Sequence, residues 1–171
     1  PKNNNQRFEI CIGAILTQNT SWTNVEKALI NLKEINALNP LNLKKLDIEN
    51  LKKAIKPAGY FNQKARKLKG FTNFYLNLKQ IPKREQLLDL WGIGPETADS
   101  ILLYAYKEPT FVIDTYTKRI MQNLNFKEKT YDELKQLFET SLKNDYRIYQ
   151  EFHALIVEAV KRGFSISEIN L

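Results

Sequence analysis

The chain is short of the residues that build fixed covalent and metal sites. Among 171 residues it holds one cysteine, Cys11, and one histidine, His153. One thiol makes no internal disulfide, and one Cys with one His makes no structural zinc site. An iron–sulfur cluster takes several thiolates and is excluded within this chain. With so little cysteine, a reducing compartment and a cytoplasmic location are expected. No run approaches the roughly 18 apolar residues a membrane span needs. No charged-then-apolar leader is legible in the opening residues either. No membrane partner is therefore expected.

What is present is charge of one sign and helical periodicity. Lys and Arg total 26 against 19 Asp and Glu, a formal net charge of +7 and a pI near 9.4. That excess suits a polyanion such as nucleic acid, and also suits a merely Lys-rich surface. Apolar residues recur at helical spacing almost throughout. Phe8, Ile12, Ile15 and Leu16 share one face, and Val25, Ala28, Leu29, Leu32 and Ile35 another. Thr23 to Glu26 reads as a capping box, as does Thr130 to Glu133, and Asn62 as a further cap. A final helix from about Asp145 to Arg162 would bury Tyr149, Phe152, Ile156, Val157 and Val160. No useful alternating pattern appears. The expectation is an all-α fold of about nine helices, as two helical domains flanking a cleft. The first spans residues 6–108, and the second comprises 1–5 with 109–171.

The most informative stretch is Leu90-Trp91-Gly92-Ile93-Gly94-Pro95-Glu96-Thr97-Ala98. Two helices flank a turn whose glycines permit positive φ and close backbone approach. Ile93 can plug the gap between the helices. The first amides of the second helix lack internal partners and favour an anion. This describes a helix-hairpin-helix that grips a DNA phosphate through main-chain groups, although a tight αα-corner fits the same glycines. Asp114 follows twenty positions after Gly94, behind the apolar Phe111-Val112-Ile113. Taken singly it fits an N-cap as well as a catalytic carboxylate. His153, among Phe152, Ile156 and Val157, reads as a structural histidine and stays out of the catalytic set.

Together these segments resemble the helix-hairpin-helix (HhH-GPD) superfamily of DNA glycosylases, in its endonuclease III branch. The resemblance rests on Gly13-Ala14-Ile15-Leu16-Thr17-Gln18-Asn19-Thr20, Gly59 to Ala65, Leu90 to Ala98, Val112-Ile113-Asp114-Thr115 and Phe152-His153, in family order. It implies a base-excision enzyme acting on double-stranded DNA as a monomer. Asp114 would be the catalytic carboxylate at the cleft. Gln18 and Tyr60 would be the wedges that replace the extruded base and press on the other strand. Trp91, Gly92, Ile93, Gly94, Glu96 and Thr97 would form the phosphate-binding hairpin. The blander readings are a loop amide for Gln18 and a packing aromatic for Tyr60. The family often carries a monovalent cation on the hairpin carbonyls.

Two departures narrow the chemistry. Bifunctional members carry a lysine in the hairpin helix that forms a Schiff base, where this chain has Glu96, which can form no imine. Most of the branch also ends in four cysteines around an iron–sulfur centre, whereas this sequence ends at Gly163 to Leu171 with none. No cofactor is expected, and no metal. Lysine-less, cluster-less members are similar to the small 3-methyladenine DNA glycosylases. Their pocket aromatic after the Leu-Thr-Gln-Asn-Thr signature corresponds to Trp22. An indole face attracts a cationic alkylpurine, and Glu96 would complement its charge. Alternatively, Trp22 is core and Glu96 a first-turn residue favoured by the helix dipole. The subgroup's pocket lysine after Phe152-His153 is Leu155 here. The expectation is a monofunctional glycosylase for an alkylated purine. A glycosylase for an oxidised pyrimidine or mispaired adenine, or a non-catalytic hairpin module, stands as the alternative.

Overall fold

The computed structural model describes residues 1–163, and among these it is helical throughout, with no strand. Ten α-helices are present rather than about nine, with a 3₁₀ turn at Lys56–Ala58 and a π-helical segment at Ile101–Tyr106. The expectation for the end of the chain beyond Gly163 lies outside the described residues. The chain divides after Ile101, within the helical run that begins at Pro95. The sequence had placed that boundary at 108 and grouped residues 1–5 with the second domain. Pro1–Asn5 instead belongs to the first unit, because α1 already begins at Asn4.

In the first unit, α1 (Asn4–Leu16) starts where the Asn3 side chain accepts from the Gln6 amide. It buries Phe8, Cys11, Ile12, Ile15 and Leu16. The helix α2 (Trp22–Glu34) begins two residues earlier than its sequence suggests. Ser21 is the N-cap without a side-chain bond, so Thr23 to Glu26 forms no capping box. Glu26 instead accepts from the Trp22 indole N–H at 2.9 Å. Asn39 caps α3 (Pro40–Lys45), and Asp47 caps α4 (Ile48–Ile55). In α5 (Phe61–Leu76) the N-cap is Tyr60 rather than Asn62. The ring of Phe8 meets Tyr75 and Phe71 of α5 at centroid distances of 5.0 and 6.4 Å, which fastens α1 to α5. Next, α6 (Arg84–Leu88) and α7 (Pro95–Ser100) flank the glycine turn. The Arg84 guanidinium donates to both oxygens of the buried Asp99, at 2.9 and 3.1 Å, and clamps those two helices together.

In the second unit, the buried segment Thr110–Ile113, outside any regular element, leads into α8 (Thr115–Asn123). Its backbone is satisfied from the side, since the Phe111 amide donates to Glu139 Oε1 at 2.8 Å. Thr130 and Glu133 do form the expected capping box at the head of α9 (Tyr131–Ser141). Asp145 caps α10 (Tyr146–Lys161). Phe111 stacks on Phe138 with centroids 4.2 Å apart, and Tyr149 meets its edge at 5.6 Å. Only Tyr149 and Ile156 of the five residues expected to be buried on α10 are fully so. Phe152 is exposed, and Val157 and Val160 are half-buried.

Candidate active site

The candidate residues fall into two groups, one in each unit. In the first unit, the turn Trp91-Gly92-Ile93-Gly94 needs only one of its glycines for conformation. Gly92 has φ +78°, whereas Gly94 at φ −96° has ordinary backbone. A Cβ at Gly92 would lie 2.4 Å from Cε of Lys67. Ile93 is buried, and Pro95 opens α7 without losing a hydrogen bond. Trp91 is exposed, with the Arg66 guanidinium 4.1 Å from its ring centroid. Glu96 is exposed in the first turn of α7, where the dipole favours a carboxylate.

Gln18 rests on that hairpin. Its amide nitrogen donates to Gly92 O at 3.1 Å and to Thr97 Oγ1 at 2.9 Å. Its amide oxygen accepts from Lys67 Nζ. Tyr60 is 66% exposed and held at φ +46°, a left-handed conformation that costs a bulky residue about 1–3 kcal/mol.

One buried cation joins the approaches to both residues. Lys64 Nζ donates to Leu16 O at 2.8 Å and to Ala58 O at 2.7 Å, two residues before Gln18 and two before Tyr60. Burial, and then the charge of Lys67, push the Lys64 ammonium down to about 8. Two carbonyls nonetheless solvate it. Sequence reading missed this strut, although a lysine at a buried helical position signals one. Trp22, expected in the pocket or the core, is not core. It is 52% exposed and stands over Gly13, where an added Cβ would meet its ring at 3.8 Å.

In the second unit, Asp114 is the N-cap of α8 and is only partly exposed. Its Oδ1 accepts from the Thr117 amide at 2.7 Å and from the Thr117 hydroxyl at 2.9 Å. Its Oδ2 lies 3.4 Å from Nε2 of His153 on α10. Burial raises the carboxyl, but His153 and the Thr117 donors outweigh it and hold Asp114 below the ordinary carboxylate range. The cap and the candidate catalyst are thus the same residue, with Oδ1 spent on the cap. His153, set aside on the sequence, is the neighbour the sequence did not foresee.

No group of three or more His, Cys, Asp or Glu gathers as a metal site among the described residues, and no described helix is long and apolar enough to cross a membrane. Residues for an iron–sulfur centre do not fit either, because the single thiol, Cys11, is fully buried in α1 and its burial pushes it up. A monovalent cation would meet carbonyls on the hairpin, one of which, Gly92 O, already accepts from Gln18.

An all-helical chain with a glycine hairpin and a helix-capping aspartate after it defines a class. The chain belongs to the HhH-GPD superfamily of base-excision DNA repair proteins, whose family model matches residues 12–144, and it is a DNA glycosylase of that kind. A provisionally assigned DNA repair glycosylase of Methanocaldococcus jannaschii is 47% identical over 91% of this chain and 77% of its own length. Endonuclease III of Thermotoga maritima is 30% identical over 85% of this chain and 70% of its own. Among solved structures, the H. pylori 3-methyladenine DNA glycosylase bound to 1,N6-ethenoadenine superposes with a TM-score of 0.84. It is 33% identical, and the match covers 92% of this chain and 86% of that one.

Proposed function

We propose that this DNA glycosylase is monofunctional, acting as a monomer on double-stranded DNA that contains an alkylated purine such as 3-methyladenine. The observation that carries the proposal is Asp114, a largely buried carboxylate held in its charged form with one oxygen uncommitted to the cap. The hairpin Trp91 to Gly94, with Glu96 and Thr97, takes a phosphate on main-chain groups. Gln18 and Tyr60 occupy the gap as the damaged nucleotide leaves the stack. Trp22 stacks on the extruded cationic base, and Glu96 complements its charge.

As the C1′–N bond breaks, its electron pair leaves with the base and positive charge spreads over the sugar ring. Ionised Asp114 stabilises that charge and orients the water, whose oxygen then bonds C1′ as its proton passes to the carboxylate and on to solvent. The products are free base and an intact strand bearing an abasic site. Glu96 stands where a lysine would be needed for an imine, so hydrolysis is the whole reaction. No cofactor takes part.

The test is a panel of duplexes carrying 3-methyladenine, 1,N6-ethenoadenine, an oxidised pyrimidine or a mispaired adenine. Release of 3-methyladenine with no nick supports the proposal. Preferred release from another duplex reassigns the substrate, and nicking without added base overturns the monofunctional reading. Tight DNA binding with no release from any duplex makes the chain a hairpin-bearing binding module.

A further inference from the structure

His153 is the chain's one histidine and has no part in the mechanism above. Its two ring nitrogens face different groups. Nδ1 lies 2.7 Å from the Tyr104 hydroxyl, and Nε2 lies 3.4 Å from Asp114 Oδ2. Nε2 is closed off from solvent and completes no hydrogen bond in this geometry. A fold rarely leaves a buried donor unmatched, because the desolvation is not repaid. The one acceptor described near it is the oxygen of Asp114 that Thr117 leaves open.

We propose that Tyr104 and His153 form a relay that positions Asp114. The Tyr104 O–H donates to Nδ1, which fixes the ring proton on Nε2, and Nε2–H closes onto Asp114 Oδ2 in the working enzyme. The inference rests on Asp114 being the catalytic carboxylate. His153 touches no reacting atom and is a positioning residue. With Oδ1 tied to Thr117 and Oδ2 to His153, the carboxylate plane has no free rotation.

Three features support the relay. Tyr104 lies in the π-helical segment Ile101–Tyr106, a rare geometry that recurs at functional sites. Burial, and then the Asp114 charge, push the Tyr104 phenol up to about 12, so it keeps the proton it donates. The His153 ring stands nearly perpendicular to that of Phe111, at 86° with centroids 6.5 Å apart, which limits its tilt. The second partner of a working imidazole generally sets which nitrogen carries the proton.

Glutamine places an amide nitrogen where Nε2 stands, and asparagine where Nδ1 stands. Single-turnover release of 3-methyladenine from methylated duplex separates the two, with Kd for undamaged duplex measured alongside. His153→Ala and Tyr104→Phe are expected to slow release by ~10–100-fold, the scale of a small misplacement in an active site, with Kd unchanged. His153→Gln recovers most of that rate and His153→Asn does not. The ¹⁵N spectrum of the one imidazole, which needs no substrate and no variant, is expected to show the proton on Nε2. Asp114→Asn is run in parallel. If it releases base normally, the reading of Asp114 fails. If it is inactive while His153→Ala matches the parent, or Asn rescues as well as Gln, the relay alone fails. A proton on Nδ1, with Nε2 bare toward Asp114, also overturns the relay, even if His153→Ala does not fold.

Discussion

The two groups of site residues are held in opposite ways. In the first unit Trp22, Tyr60 and Trp91 are exposed while Gln18 is held on the hairpin, on a frame made of main chain and one buried cation. In the second, Asp114 is drawn inward and surrounded by side-chain donors. Groups that grip a polyanion without reading sequence need exposed backbone and rigid loops. A carboxylate that must face a developing cation needs a fixed, poorly solvated place. On the proposed function the contrast separates binding from chemistry, and substitutions on each side should then fail differently.

Lys64→Met tests the frame with the largest expected effect. It leaves the carbonyls of Leu16 and Ala58 buried without a donor, and should cost about 2–4 kcal/mol of stability in urea denaturation. Base release should fall with it, because the segments leading to Gln18 and Tyr60 share that strut. A variant as stable as the parent would show that the strut holds nothing.

Gly92→Ala acts on the hairpin alone. The positive φ and the displaced Lys67 side chain should cost ~1–2 kcal/mol and weaken duplex binding, with the rate of bound substrate little changed. A loss of rate at unchanged affinity would blur the division between the two units.

The pH dependence should belong to the other side. Asp114 has a folded value below its ordinary one, so the stability it contributes is present above about pH 3.9 and lost as pH falls through the folded value. Release should accordingly show no acid limb from Asp114 until the pH drops below the usual carboxylate range. An acid limb near pH 6 that disappears in Asp114→Glu would contradict this. The smallest effect is expected of Glu96→Ala. An exposed substitution should move stability by less than about 0.5 kcal/mol, while the ratio of alkylated to neutral bases released should fall. An unchanged ratio would remove Glu96 from the pocket.

Periodicity and punctuation made much of this legible in the sequence. Helical spacing read out the all-α class. Glycines around an apolar plug marked the hairpin, and motifs in family order tied Gln18, Tyr60 and Asp114 to one superfamily. What escaped was local competition and tertiary contact. Thr23 and Asn62 are good caps by type, but Ser21 and Tyr60 take those places because each helix begins two residues earlier. The π-helical segment has no period that apolar spacing reveals. His153 is isolated on its helix, and its meaning lies in Asp114 and Tyr104, 39 and 49 positions away. No pattern along one element could have joined them.

The most direct test of the division of labour is Asp114→Asn, assayed for duplex affinity and for single-turnover base release on the same preparation. Asparagine keeps an oxygen for the Thr117 donors, so the helix cap and the fold survive the change. If binding belongs to the hairpin unit as proposed, duplex affinity is expected within about twofold of the parent and release slowed by at least ~10³-fold, the scale of losing a preorganised electrostatic group. Release of the damaged base at the parent rate would contradict the proposal.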